Sequence, residues 1–553
     1  KPRDTHPSQE SKQTETRTAC QQALTAFSIL SMTFKSTLAK ITVAAASLAL
    51  IGFGLTPATA ESPLQPKPFV KGAVGLQMFG WNWNSIANEC KTVLGPAGID
   101  WIQTMPPQDH INGGAWWIHY QPASYSLNSN AGTRAQFANM VATCNAAGVN
   151  VITDAVINHM AGGGGTSFDG KPYGDENLIF DGVFTKKDFH NGLPTTDPNY
   201  CDADIANWDS VPERFNCRFP GLPDLATESP YVQQQIAKYL NDQISLGVAG
   251  FRIDAAKHIP PADIAAIKKL LTNPDAILIQ EVPGSKAQNE EYTGNGFVWA
   301  WDTHTKAVSM FGYPGAAYRG ATYDTVDTPD YVDTNVGISW ITNHDTEHWG
   351  GAMTFMNGKA YELANIWLLS EKYGSPMLYT GYAYADPNES PAYGSGNYLK
   401  DAACAAPSNR ISPTASTSYK PGQFVCLQRW TSIKGMIAWR DVVGDAAKTN
   451  LYAPKAGATN SGVYAFGRSG LGYVAINSKA SAVKLSGIAT GMKPGTYCDM
   501  ISGGNKPFKT VTVNKKATKA CVGSQIVIDK AGKVTASVAA QTAIAIATTS
   551  KLK

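Results

Sequence analysis

The 553-residue chain has no C-x-x-C pair, no long Ser/Thr/Pro-rich linker and, beyond residue 60, no apolar run long enough to cross a bilayer. The first absence argues against a zinc ribbon or a thioredoxin-like centre. The second argues against a string of tandem modules, the third against a polytopic membrane protein. Charge is also scarce. Asp, Glu, Lys and Arg make up 16% of the residues against 43% hydrophobic ones, the balance of a folded globular chain and not of a disordered one. The formal net charge of +3 is local: residues 1–60 hold six of the 46 Lys and Arg and three of the 43 Asp and Glu, so 40 of each sign remain. A neutral remainder gives no electrostatic case for nucleic acid or an anionic membrane as partner. Gly162–Gly165 have no Lys-Ser or Lys-Thr and no helix after them, so they read as flexible loop and not as a phosphate cradle.

The first 60 residues stand apart. Met32 opens a segment with Lys35 and Lys40, the apolar run Ile41–Leu55 and then Ala58-Thr59-Ala60, the order of a secretory signal peptide over 32–60 with a mature start near Glu61. Residues 1–31 are polar and aperiodic and read as an upstream segment without folded structure. Export suits the cysteines. Without Cys20 there are eight, in the sequential pairs Cys90 and Cys144, Cys201 and Cys217, Cys404 and Cys426, Cys498 and Cys521. An even count in an exported chain reads as disulfides. Sequential pairing is the expectation, although on the order of a hundred connectivities are open on sequence alone.

Short apolar strands alternate with amphipathic helices. Val74–Phe79, Ile99–Met105, Val149–Val156, Phe251–Asp254, Ile277–Glu281, Ile338–Thr342 and Met377–Tyr379 read as strands. Arg134–Ala147, Tyr231–Leu246, Pro261–Leu271 and Tyr361–Glu371 read as helices. This alternation predicts an α/β protein with a parallel sheet closed as a (β/α)₈ TIM barrel, in two parts, 61–157 and 229–450. Between them, 158–228 is too long and too rich in Gly, Asp, Asn and Pro for a connection, and reads as a loop-rich domain inserted after the third strand. From 451 to 553, Val, Thr, Ala, Gly and Ser dominate with period-two alternation, which predicts a carboxy-terminal antiparallel β-sandwich.

Carboxylates close several of these strands, where barrel active sites are built. Arg252 and Asp254 stand two apart on a strand and so face one side. A guanidinium there lowers the carboxylate's pKa and keeps it ionised, as a nucleophile requires. Glu281 ends an apolar strand, a setting that raises a carboxyl pKa and lets it donate a proton. Asp345 follows His344, a neutral donor. Singly, these residues also read as a structural ion pair, a helix-terminal Glu and a turn residue. Together, two carboxylates and a third to grip hydroxyls suit glycoside hydrolysis, with retention if the first two lie ~5–5.5 Å apart.

Thr153-Asp-Ala-Val-Ile-Asn-His159, Gly250-Phe-Arg-Ile-Asp-Ala-Ala-Lys-His258, Gln280-Glu-Val-Pro283 and Thr342-Asn-His-Asp345 resemble, in order, the four motif regions of the α-amylase family, glycoside hydrolase family 13. Phe79-Gly-Trp-Asn-Trp83, Trp116-Trp-Ile-His-Tyr-Gln-Pro122 and Gly495-Thr-Tyr-Cys498 resemble its animal-type branch and bacterial relatives. The resemblance runs from about Val74 to the carboxy terminus. It implies a secreted hydrolase of internal α-1,4 bonds in starch and maltooligosaccharides, with monomer as the default state. Asp254 would be the nucleophile, Glu281 the acid/base and Asp345 the transition-state stabiliser, with Arg252 orienting Asp254. His159 and His344 would contact the sugar at the cleavage point, and Lys257 and His258 the leaving-group side.

Trp116, Trp117, Tyr120 and Gln121 also read as substrate contacts: an adjacent tryptophan pair on extended backbone cannot point both rings into one core, and Tyr and Gln can bond hydroxyls. The resemblance further implies calcium, held by Asn158, Asp224 and the carbonyls of Phe215 and His258. Chloride, bound by animal-type relatives through two basic residues and an Asn, is not expected to be required: Arg252 and Asn343 match, but Met377 takes the third position. The family's glycine-rich loop after the third carboxylate is reduced to His348-Trp-Gly-Gly351, which makes His348 a doubtful contact. A transglycosylase or maltooligosaccharide-forming relative is the alternative. A non-catalytic glucan-binding relative is more remote, since all three carboxylates are present.

Overall fold

The computed structural model describes residues 65–312, 331–404, 419–454 and 458–552. The upstream and signal-peptide readings, 1–31 and 32–60, lie outside the described residues.

Eight parallel strands close a barrel: β1 (Gly75–Met78), β2 (Trp101–Thr104), β3 (Asn150–Ala155), then, beyond an inserted lobe that holds β4 (Gly164–Thr166), β5 (Pro172–Gly174) and β6 (Ile179–Phe180), the strands β7 (Gly250–Ile253), β8 (Ile277–Gln280), β9 (Phe297–Trp299), β10 (Gly337–Trp340) and β11 (Ser375–Tyr379). Their order round the barrel follows the chain, with β11 returning to pair with β1. Apart from the first residue of β9, every barrel-strand residue is buried, because helices cover the outside and side chains fill the inside. The lower interior is a plug of Trp101, Ile152, Ile279, Trp299, Trp340 and Met377. Gly75 is demanded by this packing: a Cβ there would stand 2.1 Å from the Trp101 ring.

Seven of the strands coincide with apolar runs in the sequence. The eighth, β9, does not announce itself, since three residues are too few to display a period. The inserted region is ordered by its own pairing. Gly164 and Gly165, expected as flexible loop, pair with Gly174 and Tyr173 in the three-stranded sheet β4–β5–β6, so the tract is only partly a loop. A short helix, Val211–Asn216, starts on the Ser210 cap with Pro212 in its first turn.

The carboxy-terminal region consists of β12 (Lys448–Tyr452), β13 (Val463–Arg468), β14 (Gly472–Asn477), β15 (Val483–Ala489), β16 (Gly495–Cys498), β17 (Phe508–Val513), β18 (Lys516–Cys521), β19 (Gln525–Ile528), β20 (Lys533–Val538) and β21 (Thr542–Ala547). They form two four-stranded antiparallel sheets, β12–β13–β14–β21 and β15–β20–β19–β16, and a separate β17–β18 hairpin. Alternate residues such as Val463, Tyr473, Leu485 and Ile526 meet between the sheets. The outer face of the first sheet packs on the helix Thr431–Val443, where Trp439 Nε1 donates to the Ile546 carbonyl at 2.9 Å. Arg468 reaches the Ser370 carbonyl at 2.8 Å, so the β region and the barrel share buried hydrogen bonds.

Disulfides join Cys90 to Cys144, Cys201 to Cys217, Cys404 to Cys426 and Cys498 to Cys521. Among the described residues, no helix is long and apolar enough to cross a membrane.

Candidate active site

The cleft lies at the carboxyl ends of the barrel strands. Asp254 follows β7, Glu281 follows β8 and Asp345 follows β10, and all three border it. Beneath them is Arg252, fully buried on β7. Its Nη1 lies 2.6 Å from Asp254 Oδ1 and 2.7 Å from Asp154 Oδ1, and its Nη2 lies 2.8 Å from Glu281 Oε1. The guanidinium face packs on Trp299, 4.6 Å from the ring centroid. One cation thus serves carboxyl groups from three neighbouring strands.

Ala255 adds a second tie. Its φ of 47° is left-handed, uncommon for a residue with a Cβ. The turn aims the Ala255 N–H at Glu281 Oε2, 2.8 Å away. Asp254 and Glu281 are therefore joined both through Arg252 and through the residue after Asp254.

Three carboxyl groups share one guanidinium and Asp345 interacts electrostatically with the same cluster, so the four compete for ionisation. Burial pushes Asp154 up to about 7 against the pull of Arg252. Burial also raises Asp254 and outweighs Arg252, contrary to the expectation that the guanidinium alone would set its charge. Glu281 is raised by burial, with Asp254 adding to the effect. Asp345 is raised well above the carboxylate range, first by burial and then by Glu281. Asp154 is absent from the sequence-derived site, although it lies inside the first motif region.

The cleft walls contain each expected substrate contact except Arg252, also expected to bind substrate, which is fully buried beneath them. Trp116–Tyr120 form a 3₁₀ turn and not the extended segment expected, which lets both tryptophans border the cleft: Trp116 buried, Trp117 half-buried. Trp116 is held from behind by its Nε1 bond to the Pro387 carbonyl at 2.8 Å. Tyr120 offers its ring and not its hydroxyl, which donates to Asp154 Oδ2 at 2.8 Å. That ring is parallel to His344, 5.0 Å away, with Phe79 on the same histidine at 4.7 Å. Gln121 borders the cleft beside it.

Burial lowers the cleft histidines His159, His258 and His344 and favours their neutral forms, whereas, against burial, Asp224 and Glu228 push His190, outside the cleft, up to about 9. Burial lowers His159 to about 4, and its Nε2 lies 3.0 Å from the Tyr120 carbonyl. Burial puts His344 well below its usual range. Gln77 Nε2 donates to His344 Nδ1 at 2.9 Å, which leaves the His344 proton on Nε2, 3.5 Å from Asp345. His258 Nδ1 donates to the Arg214 carbonyl at 3.1 Å, and Lys257 Nζ to the Pro283 carbonyl at 2.7 Å. His348 does not border the cleft: it is buried behind Trp116, its Nδ1 2.8 Å from the Pro387 carbonyl. Phe219, Leu222, Pro283 and Trp349 border the cleft without having been singled out in the sequence. Pro283 closes the third motif region and Trp349 stands in the shortened loop after the third carboxylate, whereas Phe219 and Leu222 are marked only by lying in the inserted region.

Asn158, Asp224 and Phe215 lie outside the cleft lining, in the lobe and at its junction with the barrel. Asn158 Nδ2 donates to Asp224 Oδ1 at 3.1 Å, and the Asn158 carbonyl accepts from Leu225 N at 3.0 Å. Asp224 Oδ2 is 2.6 Å from His190 Nδ1, and its carboxyl is pushed up to about 6 by burial. No three His, Cys, Asp or Glu side chains cluster for a metal among the described residues.

A closed (β/α)₈ barrel whose strand ends present paired carboxyl groups on a shared guanidinium, within an aromatic-walled cleft, suits the class of glycoside hydrolases. Residues 104–310 match the model of the α-amylase catalytic domain, and residues 456–549 that of the α-amylase carboxy-terminal all-β domain. An α-amylase of Streptomyces violaceus is 36% identical over 92% of this chain and 79% of its own length. One of the beetle Tenebrio molitor is 32% identical over 79% of this chain and 92% of its own. The crystal structure of α-amylase I from Eisenia fetida superposes with a TM-score of 0.74 at 27% identity, covering 87% of this chain and 99% of that one. The chain belongs to the α-amylase family and is a glycoside hydrolase of that class.

Proposed function

We propose that this chain is a secreted, endo-acting α-amylase that hydrolyses internal α-1,4 bonds of starch and maltooligosaccharides with retention. The observation that carries the reading is the shared guanidinium. With Asp254 on one Nη of Arg252 and Glu281 on the other, the two carboxyl groups stand close together. Retention needs them ~5–5.5 Å apart, whereas an inverting pair leaves ~6.5–9.5 Å for a water. A structure of the Eisenia fetida enzyme, a mutant in complex with maltohexaose, is related to this chain with a TM-score of 0.71.

In this reading Asp254, bonded to Arg252, attacks the anomeric carbon. Glu281, whose pKa burial raises, protonates the leaving oxygen and then takes a proton from the incoming water. Asp345 and the Nε2–H of His344 grip hydroxyls of the distorted sugar. His159 adds a neutral contact, and Lys257 and His258 meet the leaving chain. Export is supported by four disulfides, which persist in oxidising compartments.

Calcium would be held by Asn158, Asp224 and the carbonyls of Phe215 and His258. The donor set suits a hard cation, being all oxygen with one carboxylate. Asn158 and Asp224 already lie together, and Asp224 is a buried acid whose charge a cation would favour. The ion would tie the inserted lobe to the barrel. Chloride is not required in this reading. Arg252 is already shared by three carboxyl groups, and Met377 is fully buried in the apolar plug with Trp299 and Trp340.

The test is the product time course on amylose, with anomeric configuration read by NMR. Early mixed oligosaccharides of α configuration are expected, and β-configured products would exclude retention. The Glu281→Gln variant should bind maltoheptaose and lose cleavage. Near-normal turnover in that variant would remove Glu281 from the acid/base role.

A further inference from the structure

The cleft is bordered by a tryptophan that the chemistry does not use. Trp349 is 64% exposed, while its neighbours Glu347 and His348 are buried. Trp is usually among the largely buried residues, so a ring left in water at a cleft wall is informative. Trp349 ends the short helix His344–Trp349, whose first turn carries Asp345. Residues four apart share a helix face, so Trp349 stands on the Asp345 side, roughly one 5.4 Å turn further along. Gly350 and Gly351 follow with φ of 90° and 96°, and a Cβ at either would meet nothing within 4 Å. The chain thus turns away at once and leaves the ring at the rim.

Its surroundings give the ring a direction. The Trp349 centroid is 4.8 Å from that of Trp116, with the planes tilted by 49°. Trp116 and Trp117 follow β2, and Trp349 follows β10, so all three rise from the β2–β1–β11–β10 half of the barrel. Lys257 and Pro283 rise from β7 and β8 on the other half. In the reading above, Lys257 meets the leaving chain, which places the tryptophan wall on the glycone side.

We propose that Trp349 is a specificity-determining platform on which the glycone part of an α-glucan stacks, extending the wall of Trp116 and Trp117 beyond the sugar being cleaved. The proposal rests on the α-glucan reading and adds a chain-length preference to it. Flat aromatic faces cover the apolar faces of glucosyl rings without demanding one hydrogen-bond pattern.

The experiment compares the wild type with Trp349→Ala and Trp349→Phe. With maltoheptaose, Trp349→Ala is expected to raise KM about tenfold and to change kcat by no more than about twofold, whereas Trp349→Phe restores most of the affinity. In the Glu281→Gln background, calorimetric Kd for maltoheptaose should rise about tenfold when Trp349→Ala is added. Unchanged KM and Kd in the Ala variants would overturn the proposal. So would a fall in kcat at constant KM, which would mean an effect on Asp345, or equal impairment of Ala and Phe variants, which would mean packing alone. A wild type that releases no sugar from starch would instead overturn the α-glucan reading, and the calorimetric arm would still judge Trp349.

Discussion

Arg252 and Asp254, two residues apart on β7, are joined by a 2.6 Å contact between Nη1 and Oδ1, and the same guanidinium reaches Asp154 on β3 and Glu281 after β8. In the proposed mechanism this makes Arg252 a positioning residue for both members of the acid pair. Lysine carries the charge but has no fork, so it cannot hold both carboxyl groups. Arg252→Lys should therefore lower kcat by about 10²-fold or more and shift both limbs of the pH–rate profile. A variant with the wild-type profile and rate would show that the fork is dispensable.

Glu347 is fully enclosed, accepts from the Tyr379 hydroxyl at 2.7 Å, and is pushed up to about 8 by burial from an ordinary 4.5. Its folded-state pKa is thus raised, so its contribution to stability is fully present below the unfolded pKa and is lost as pH rises through about 8. The slope approaches ~1.4 kcal/mol per pH unit within that window. Glu347→Gln, which mimics the neutral acid, should flatten the fall of the thermal midpoint between acid and alkaline buffer. Parallel curves for the two proteins would refute the assignment.

Chelation should loosen the lobe. A bound ion stabilises by mass action, by ~2.7 kcal/mol at a hundredfold excess over Kd. EDTA is expected to lower the thermal midpoint by several degrees and to expose the 158–228 region to protease, both reversed by added CaCl₂. Asp224→Asn should blunt the response. A midpoint indifferent to EDTA and CaCl₂ would argue against an ion at this junction.

Met377 sits in the plug with Trp101, Trp299 and Trp340 and offers an anion no donor. Activity in chloride-free buffer should be unchanged on adding NaCl at constant ionic strength. Strong activation specific to chloride would overturn this expectation.

Much of the candidate site was legible in the chain because Asp254 and Glu281 directly follow strands and Asp345 comes shortly after one, and strand ends are local events. Phe251-Arg-Ile-Asp254 and Ile277-Leu-Ile-Gln-Glu281 display their apolar runs, their carboxylates and the two-residue spacing of Arg252 and Asp254 without reference to anything distant. The three-residue strand β9 is too short to signal, and Trp116-Trp117 reads as extended backbone because a 3₁₀ turn leaves no mark in a pair of identical residues.

The sequence by itself determined the alternation of elements, the change to β structure near residue 450 and the order of the carboxylates. Only the tertiary structure decided which charges meet. Asp154 and Arg252 are separated by 98 residues yet share a hydrogen bond, because β3 and β7 become neighbours once the inserted lobe is looped out. The charge balance of the acid pair, the neutral Nε2–H of His344, the apolar burial of Met377 and the exposure of Trp349 all follow from that closure. Burial and proximity are properties of the closed barrel, and no single strand contains them.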